Sequence, residues 1–246
     1  MKKFVCLAMV CLLSILSFSA VSFAAPNKVL KVATDATFPP FESVNEKGVL
    51  EGFDIDIIKA IGEAAGYDVQ ISNVSWDGLI PGLMAGNYNC LIAAMTMTDE
   101  RKNAINFSEP YFNAGQAIAT LKSNDSIKTP SDLSGKKVAV QMGTTGDFES
   151  TAMKNVTVKR FNTIPEAFQE LKNGGVAAVV VDYGVAIEFA QQFDYITVNE
   201  PFTNDEYYGI GISKKDTTLL KDINEGLEKI KASGKYDEIY NKYFSF

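Results

Sequence analysis

The residues that could do chemistry in this chain are few, and they stand at the ends of apolar runs. Only two arginines occur among 246 residues, Arg101 and Arg160. Arg101 follows the buried-looking run Cys90 to Ala94 by a short threonine-rich turn, Thr96 and Thr98. A guanidinium there can take a carboxylate with two parallel hydrogen bonds, helped by Thr96 and by the backbone of Thr145, where a helix opens. Asp182 closes the apolar run Val176 to Val181 and can accept from an ammonium group. Asp35 and Gln141 each end another such run, and Phe38 and Trp76 can serve as apolar walls or stacking faces. A guanidinium, two carboxylates, hydroxyls and helix N-termini suit a small zwitterion.

Other candidates read as structural. Asp54 and Asp56 lie two apart in the first turn of a helix, which sends them to different faces and suits the helix dipole. Arg160 reads as a solvated surface residue. Tyr208 to Ser213 lacks the helix a dinucleotide fingerprint requires, and Gly143 to Phe148 lacks both the spacing and the lysine of a phosphate loop. The chain has no histidine, which removes Ser-His and Cys-His nucleophile pairs, His-ligated zinc and imidazole acid–base chemistry. A net charge of -7, from 23 basic and 30 acidic side chains, speaks against nucleic acid as a partner.

The elements that must position these residues follow from the hydrophobic pattern. Lys2 and Lys3, the apolar stretch Phe4 to Phe18 and Ser22-Phe23-Ala24 read as an export signal over residues 1–24, cleaved after Ala24. Cleavage leaves one cysteine, Cys90, which reads as buried. Thereafter strands and helices alternate. Strands are predicted over Val29 to Ala33, Val69 to Val74, Cys90 to Ala94, Lys136 to Val140, Val156 to Phe161 and Val176 to Val181. Helices are predicted over Phe53 to Ala65, Trp76 to Met84, Pro165 to Lys172, Val185 to Gln191, Thr218 to Ala232 and Tyr236 to Phe244. Two such runs imply two α/β lobes with mainly parallel sheets, and Gly115 to Thr120 and Tyr207 to Ser213 read as extended segments crossing between them. In open sheets of this kind ligands bind beyond the carboxyl ends of the strands, where the residues above stand.

The motifs resemble those of the extracytoplasmic solute-binding proteins of polar amino-acid ABC transporters, family 3. They are ATDATFPPFE at Ala33 to Glu42, GFDIDI at Gly52 to Ile57, SWDGLIPGL at Ser75 to Leu83 and MTMTDERK at Met95 to Lys102. FSEPYF at Phe107 to Phe112, VQMGTTG at Val140 to Gly146, EYYGIGI at Glu206 to Ile212 and SGKYDEIYNKYF at Ser233 to Phe244 continue them in order.

The resemblance implies a type II periplasmic-binding-protein fold. Residues 25–113 with 212–246 form one lobe and 114–211 the other, with hinge segments near 111–118 and 206–212. It implies that Arg101, Thr96 and Thr145 hold an α-carboxylate and Asp182 an α-ammonium. Asp35, Phe38, Trp76, Ala93, Ala94 and Gln141 then line a side-chain pocket. The expected ligand is a free polar or basic L-amino acid, arginine or lysine first and glutamine next, because Asp35 looks like an unpaired buried carboxylate. An acidic amino acid is disfavoured. The expected partners are a membrane permease and its ATPase, and the protein is expected to be a periplasmic monomer without catalytic residues, cofactor or metal. The alternatives are a cyclohexadienyl dehydratase-like enzyme on the same fold and a ligand-sensing partner of a membrane receptor.

Overall fold

A computed structural model describes residues 28–203 and 205–244. The expected export signal, residues 1–24, lies outside the described residues. The chain begins with β1 (Lys28–Thr34), then the short strands β2 (Thr37–Phe38), β3 (Glu42–Val44) and β4 (Leu50–Glu51), which form a small antiparallel sheet. Next come α1 (Phe53–Ala65), β5 (Tyr67–Asn73), α2 (Trp76–Ala85), β6 (Cys90–Leu91), α3 (Asp99–Ala104) and β7 (Asn106–Phe107). After β8 (Phe112–Ala114) come β9 (Gln116–Leu121), β10 (Lys137–Gln141), α4 (Thr145–Ala152), β11 (Thr157–Phe161), α5 (Ile164–Lys172), β12 (Ala178–Asp182), α6 (Tyr183–Gln192) and β13 (Ile196–Val198). The chain returns through β14 (Glu206–Tyr208) and β15 (Gly211–Ile212) and ends with α7 (Thr217–Ala232) and α8 (Lys235–Phe244).

Two five-stranded sheets organise the two lobes. Their strand orders are β5-β1-β6-β15-β7 and β11-β10-β12-β9-β13. Each has a parallel core of three strands, and in each the fourth strand runs antiparallel to both neighbours, so four of the five point one way. The reversed strands, β9 and β15, come directly after the two crossings. The crossings themselves are β8 and β14, paired antiparallel as Phe112 with Tyr208 and Ala114 with Glu206. The sequence reading of Gly115 to Thr120 as a crossing segment is therefore corrected: Gln116–Leu121 is a buried strand inside the second sheet. The run Cys90 to Ala94 is likewise a strand only at Cys90–Leu91; the chain then bends, and Ala94 stands at a positive φ of 44°.

Apolar periodicity explains the packing. Along α1, Phe53, Ile57, Ile58 and Ile61 are buried in one core with Leu30 and Val32 of β1, each such side chain worth about 1.5–3 kcal/mol. In the second lobe Ile118, Val138, Val140 and Val180 bury one sheet face, while Ala167, Phe168 and Leu171 of α5 cover the other with Phe189. Gly52, at φ 134°, sets the entry to α1: a Cβ there would lie 2.2 Å from the Phe41 carbonyl oxygen. That close approach seats the Asp54 N–H on the same carbonyl at 2.9 Å and draws the Asp54 carboxylate into the interior. α8 docks on α1 through Phe53 and through Asp56, which accepts from Lys242 and Tyr243 at 2.7 and 2.8 Å.

Candidate functional site

A narrow cavity lies between the lobes, beyond the carboxyl ends of β1, β10 and β12. All ten residues singled out from the sequence line it: Asp35, Phe38, Trp76, Ala93, Ala94, Thr96, Arg101, Gln141, Thr145 and Asp182. Glu42 and Thr144 complete the wall.

One end is built around Arg101. Thr98 caps α3 by accepting the Arg101 N–H at 3.2 Å, which places the guanidinium at the mouth of the first sheet. Arg101 Nη1 donates to the Thr96 carbonyl at 2.9 Å, and Nη2 crosses the cleft to the Gly143 carbonyl at 3.1 Å. The guanidinium lies 5.0 Å from the centroid of the Trp76 ring, and Trp76 Nε1 donates to the same Gly143 carbonyl at 3.2 Å. Burial lowers the Arg101 pKa to about 10, opposed by Asp182 and Glu206, so it stays charged at neutral pH. With five N–H donors and two of these contacts on one each, it retains donors for a ligand carboxylate. Across the cleft Thr144 caps α4, accepting the Asp147 N–H, and Thr145 opens the helix with first-turn N–H groups that have no intrahelical partner.

The Gly143 loop is held from behind. Asp147, 4% exposed, accepts the Gly143 N–H at 3.0 Å, Arg160 Nε at 2.9 Å and Thr151 Oγ1 at 3.1 Å. Arg160 is thus not a free surface charge: it pairs with the carboxylate that fixes the loop facing Arg101 and Trp76.

Asp182, the last residue of β12, is buried and accepts the Tyr208 hydroxyl. Burial, then the proximity of Glu206, raises its pKa to about 7. Glu206, on the crossing strand β14, accepts from Thr96 Oγ1 at 3.1 Å, Gln116 Nε2 at 3.2 Å and Thr203 Oγ1 at 2.9 Å. It ties both lobes to the β8–β14 ribbon, a role the sequence reading missed.

The other end holds carboxylates. Asp35 is not unpaired: Gln141 Nε2 reaches it across the cleft at 2.8 Å and Thr37 Oγ1 donates at 3.0 Å. Burial still raises its pKa, against those hydrogen bonds. The unpaired carboxylate is Glu42. It is 1% exposed, and neither oxygen has a hydrogen-bond partner among the described residues. Beside it stands Asp54, fully buried, whose Oδ2 accepts the Ala94 N–H and the Tyr111 hydroxyl, both at 2.7 Å. Burial and the neighbouring Asp54 push Glu42 well up, while Asp54 is raised to about 7 by burial and held down by its donors. The helix-dipole reading of Asp54 is therefore corrected: its carboxylate supports the Ala94 wall. Glu42 belongs to the motif ending Pro39-Pro40-Phe41-Glu42, so its signal is an acid directly after an aromatic in the loop that bears Asp35.

Residues 30–246 match the family described as bacterial extracellular solute-binding proteins, family 3. The probable histidine-binding protein of Neisseria gonorrhoeae is 36% identical over 261 residues, covering 100% of this chain and 96% of its own. Among solved structures, an ancestral arginine-binding protein bound to arginine is 45% identical, with a TM-score of 0.86 over 89% of this chain and 100% of that one. An ancestral arginine-binding protein bound to glutamine is 45% identical, with a TM-score of 0.83 over 89% and 98%. An ancestral amino-acid-binding protein described as a precursor of cyclohexadienyl dehydratase is 38% identical, with a TM-score of 0.83 over 88% and 95%.

Proposed function

The chain belongs to the bacterial extracellular solute-binding proteins of family 3, and from that premise we propose that it captures a free polar or basic L-amino acid and hands it to a membrane importer. Arginine or lysine is the first choice and glutamine the next. The observation that carries this reading is the set of charges on the wall of one cavity. Arg101 lies within charge range of Asp182, Glu42 lies within charge range of Asp35, and all four line the cavity. The α-carboxylate takes the free Arg101 donors and the Thr145 N–H, and the α-ammonium takes Asp182. The side chain then runs between Phe38 and Trp76 towards two carboxylates, which repel an acidic ligand and favour a cation.

Binding is coupled to shape. Each end of the cavity draws on both lobes, and Gln141 to Asp35, Arg101 to Gly143 and Trp76 to Gly143 bridge them directly. A ligand that touches both walls favours the arrangement with the lobes together, and the β8–β14 ribbon is the hinge. That arrangement is what a permease with its ATPase recognises at the outer face of the membrane, with this protein acting as a monomer in the periplasm. The protein carries its ligand unchanged. The dehydratase alternative is not favoured, since the transport relatives work by binding.

The test is a ligand screen on refolded protein stripped of co-purified small molecules. A ligand at about a thousand times its dissociation constant stabilises by roughly 4 kcal/mol, or on the order of 8–16 °C for a chain of this size. Arginine or lysine should give that shift, glutamine a smaller one and glutamate none. No shift with any amino acid overturns the reading.

A further inference from the structure

Resting on that amino-acid reading, we infer that Glu42 and Asp54 act as one acid pair that gives up a shared proton when a cationic side chain enters the cavity. The site would then separate cationic from neutral amino acids by proton exchange as well as by shape.

The geometry leads there directly. Three buried carboxylate oxygens lack a donor among the described residues, Glu42 Oε1, Glu42 Oε2 and Asp54 Oδ1, and all belong to this pair. Asp54 Oδ2 is already satisfied by Ala94 and Tyr111. The other titratable groups facing the pair are Asp35 from the end of β1, Asp182 from β12 across the cleft, and the phenols of Tyr111 and of Tyr236 on α8. None is cationic, and neither Glu42 nor Asp54 joins an ion pair among the described residues. Two ionised carboxylates cannot stay together in such a place without a counter-charge. The two side chains are within hydrogen-bond reach of each other, so one proton shared between them gives each an interaction partner and leaves a single negative charge.

Asp54, which has two donors of its own, is the better anion, so Glu42 carries the proton and is also the member that lines the cavity. A neutral side chain meets a carboxylic acid and leaves it intact. A guanidinium or ammonium group instead stabilises the Glu42 carboxylate; the O–H bond breaks, the proton leaves to solvent, and the buried charge is unchanged because one cation has replaced another.

Calorimetric titration of the full mature chain with arginine and with glutamine, at neutral pH in buffers of different ionisation enthalpy, counts the protons released. Asp182 meets the α-ammonium of either ligand, so its contribution is common to both. Arginine should release about one proton more than glutamine, and the arginine-to-glutamine affinity ratio should rise by up to about tenfold per pH unit through the pair's titration. The E42Q variant, close in shape to the protonated acid, should lose the extra release and lower the arginine-to-glutamine affinity ratio by about tenfold or more. Equal proton release by the two ligands in the unmodified protein overturns the exchange and leaves the amino-acid reading standing. Failure of both ligands to bind overturns that reading and the exchange with it.

Discussion

Asp54 accepts the backbone N–H of Ala94 at 2.7 Å, linking the first turn of α1 to the wall of the cavity. Ala94 sits at φ 44°, a conformation that costs a non-glycine residue about 1–3 kcal/mol and persists only where its surroundings hold it. The motif acid is thus a brace for the cavity wall.

Replacing Asp54 with alanine should lower stability by about 2–4 kcal/mol, since it strands a buried N–H and the Tyr111 hydroxyl. Thermal melts should show a fall of roughly 5–15 °C. D54N, which keeps one acceptor, should lose distinctly less, and equal losses for the two variants would count against the bracing role.

Arg101 is predicted to be indispensable for binding. R101A should cost about 2–5 kcal/mol of affinity, because it leaves a ligand carboxylate without its charge partner. R101K should recover little, because an ammonium offers neither the paired donors nor the flat face that stacks on Trp76. Titration calorimetry with arginine decides it; near-normal affinity in R101K would show that charge alone suffices.

Asp147 lies outside the cavity wall yet holds the Gly143 loop. D147A should therefore weaken ligand binding by about tenfold while the residues lining the cavity stay intact. The signature of a positioning effect is a lowered association rate in stopped-flow together with weaker affinity. Unchanged binding would show that the loop is held well enough by Thr144.

The pH dependence of stability should run against the usual direction for acids. Asp182 moves from an ordinary 3.8 to about 7, and Asp54 from 3.8 to about 7. The folded protein therefore holds these protons over a range where the unfolded chain has lost them. Their contribution is fully present below about 3.8 and is lost as pH rises towards 7. Urea midpoints of ligand-free protein should decline across that window, and D182N should flatten part of the decline. A D182N profile parallel to the parent would contradict the raised pKa.

The parallel strands and the helices are legible in the sequence because each is a short apolar run or a strongly periodic segment; the pattern predicts α1 over Phe53 to Ala65, and it occupies those residues. Asp35, Thr96, Arg101, Gln141 and Asp182 are legible because each stands just past an apolar run, and such sheets put their strand ends in one place. Ala93 and Ala94 carry no chemistry of their own, so only the family resemblance points to them. Glu42 escapes a reading by strand ends because it sits in the small antiparallel sheet, after no central strand. Asp54 misleads because an acid in a helix's first turn is ordinarily solvated. Its burial depends on Gly52 approaching Phe41, a tertiary contact that spacing alone does not reveal. Asp35 looks like the unpaired charge for a similar reason: that Gln141 spans the cleft to it is a fact of lobe placement.

The cross-cleft bond from Trp76 Nε1 to the Gly143 carbonyl has an optical consequence. The chain contains one tryptophan, and its indole lies under the Arg101 guanidinium with its N–H on the opposite lobe. Parting the lobes would hydrate that N–H and move the cation's field away from the ring. The emission spectrum of the unlabelled protein is therefore a single-site gauge of how far the lobes stand apart.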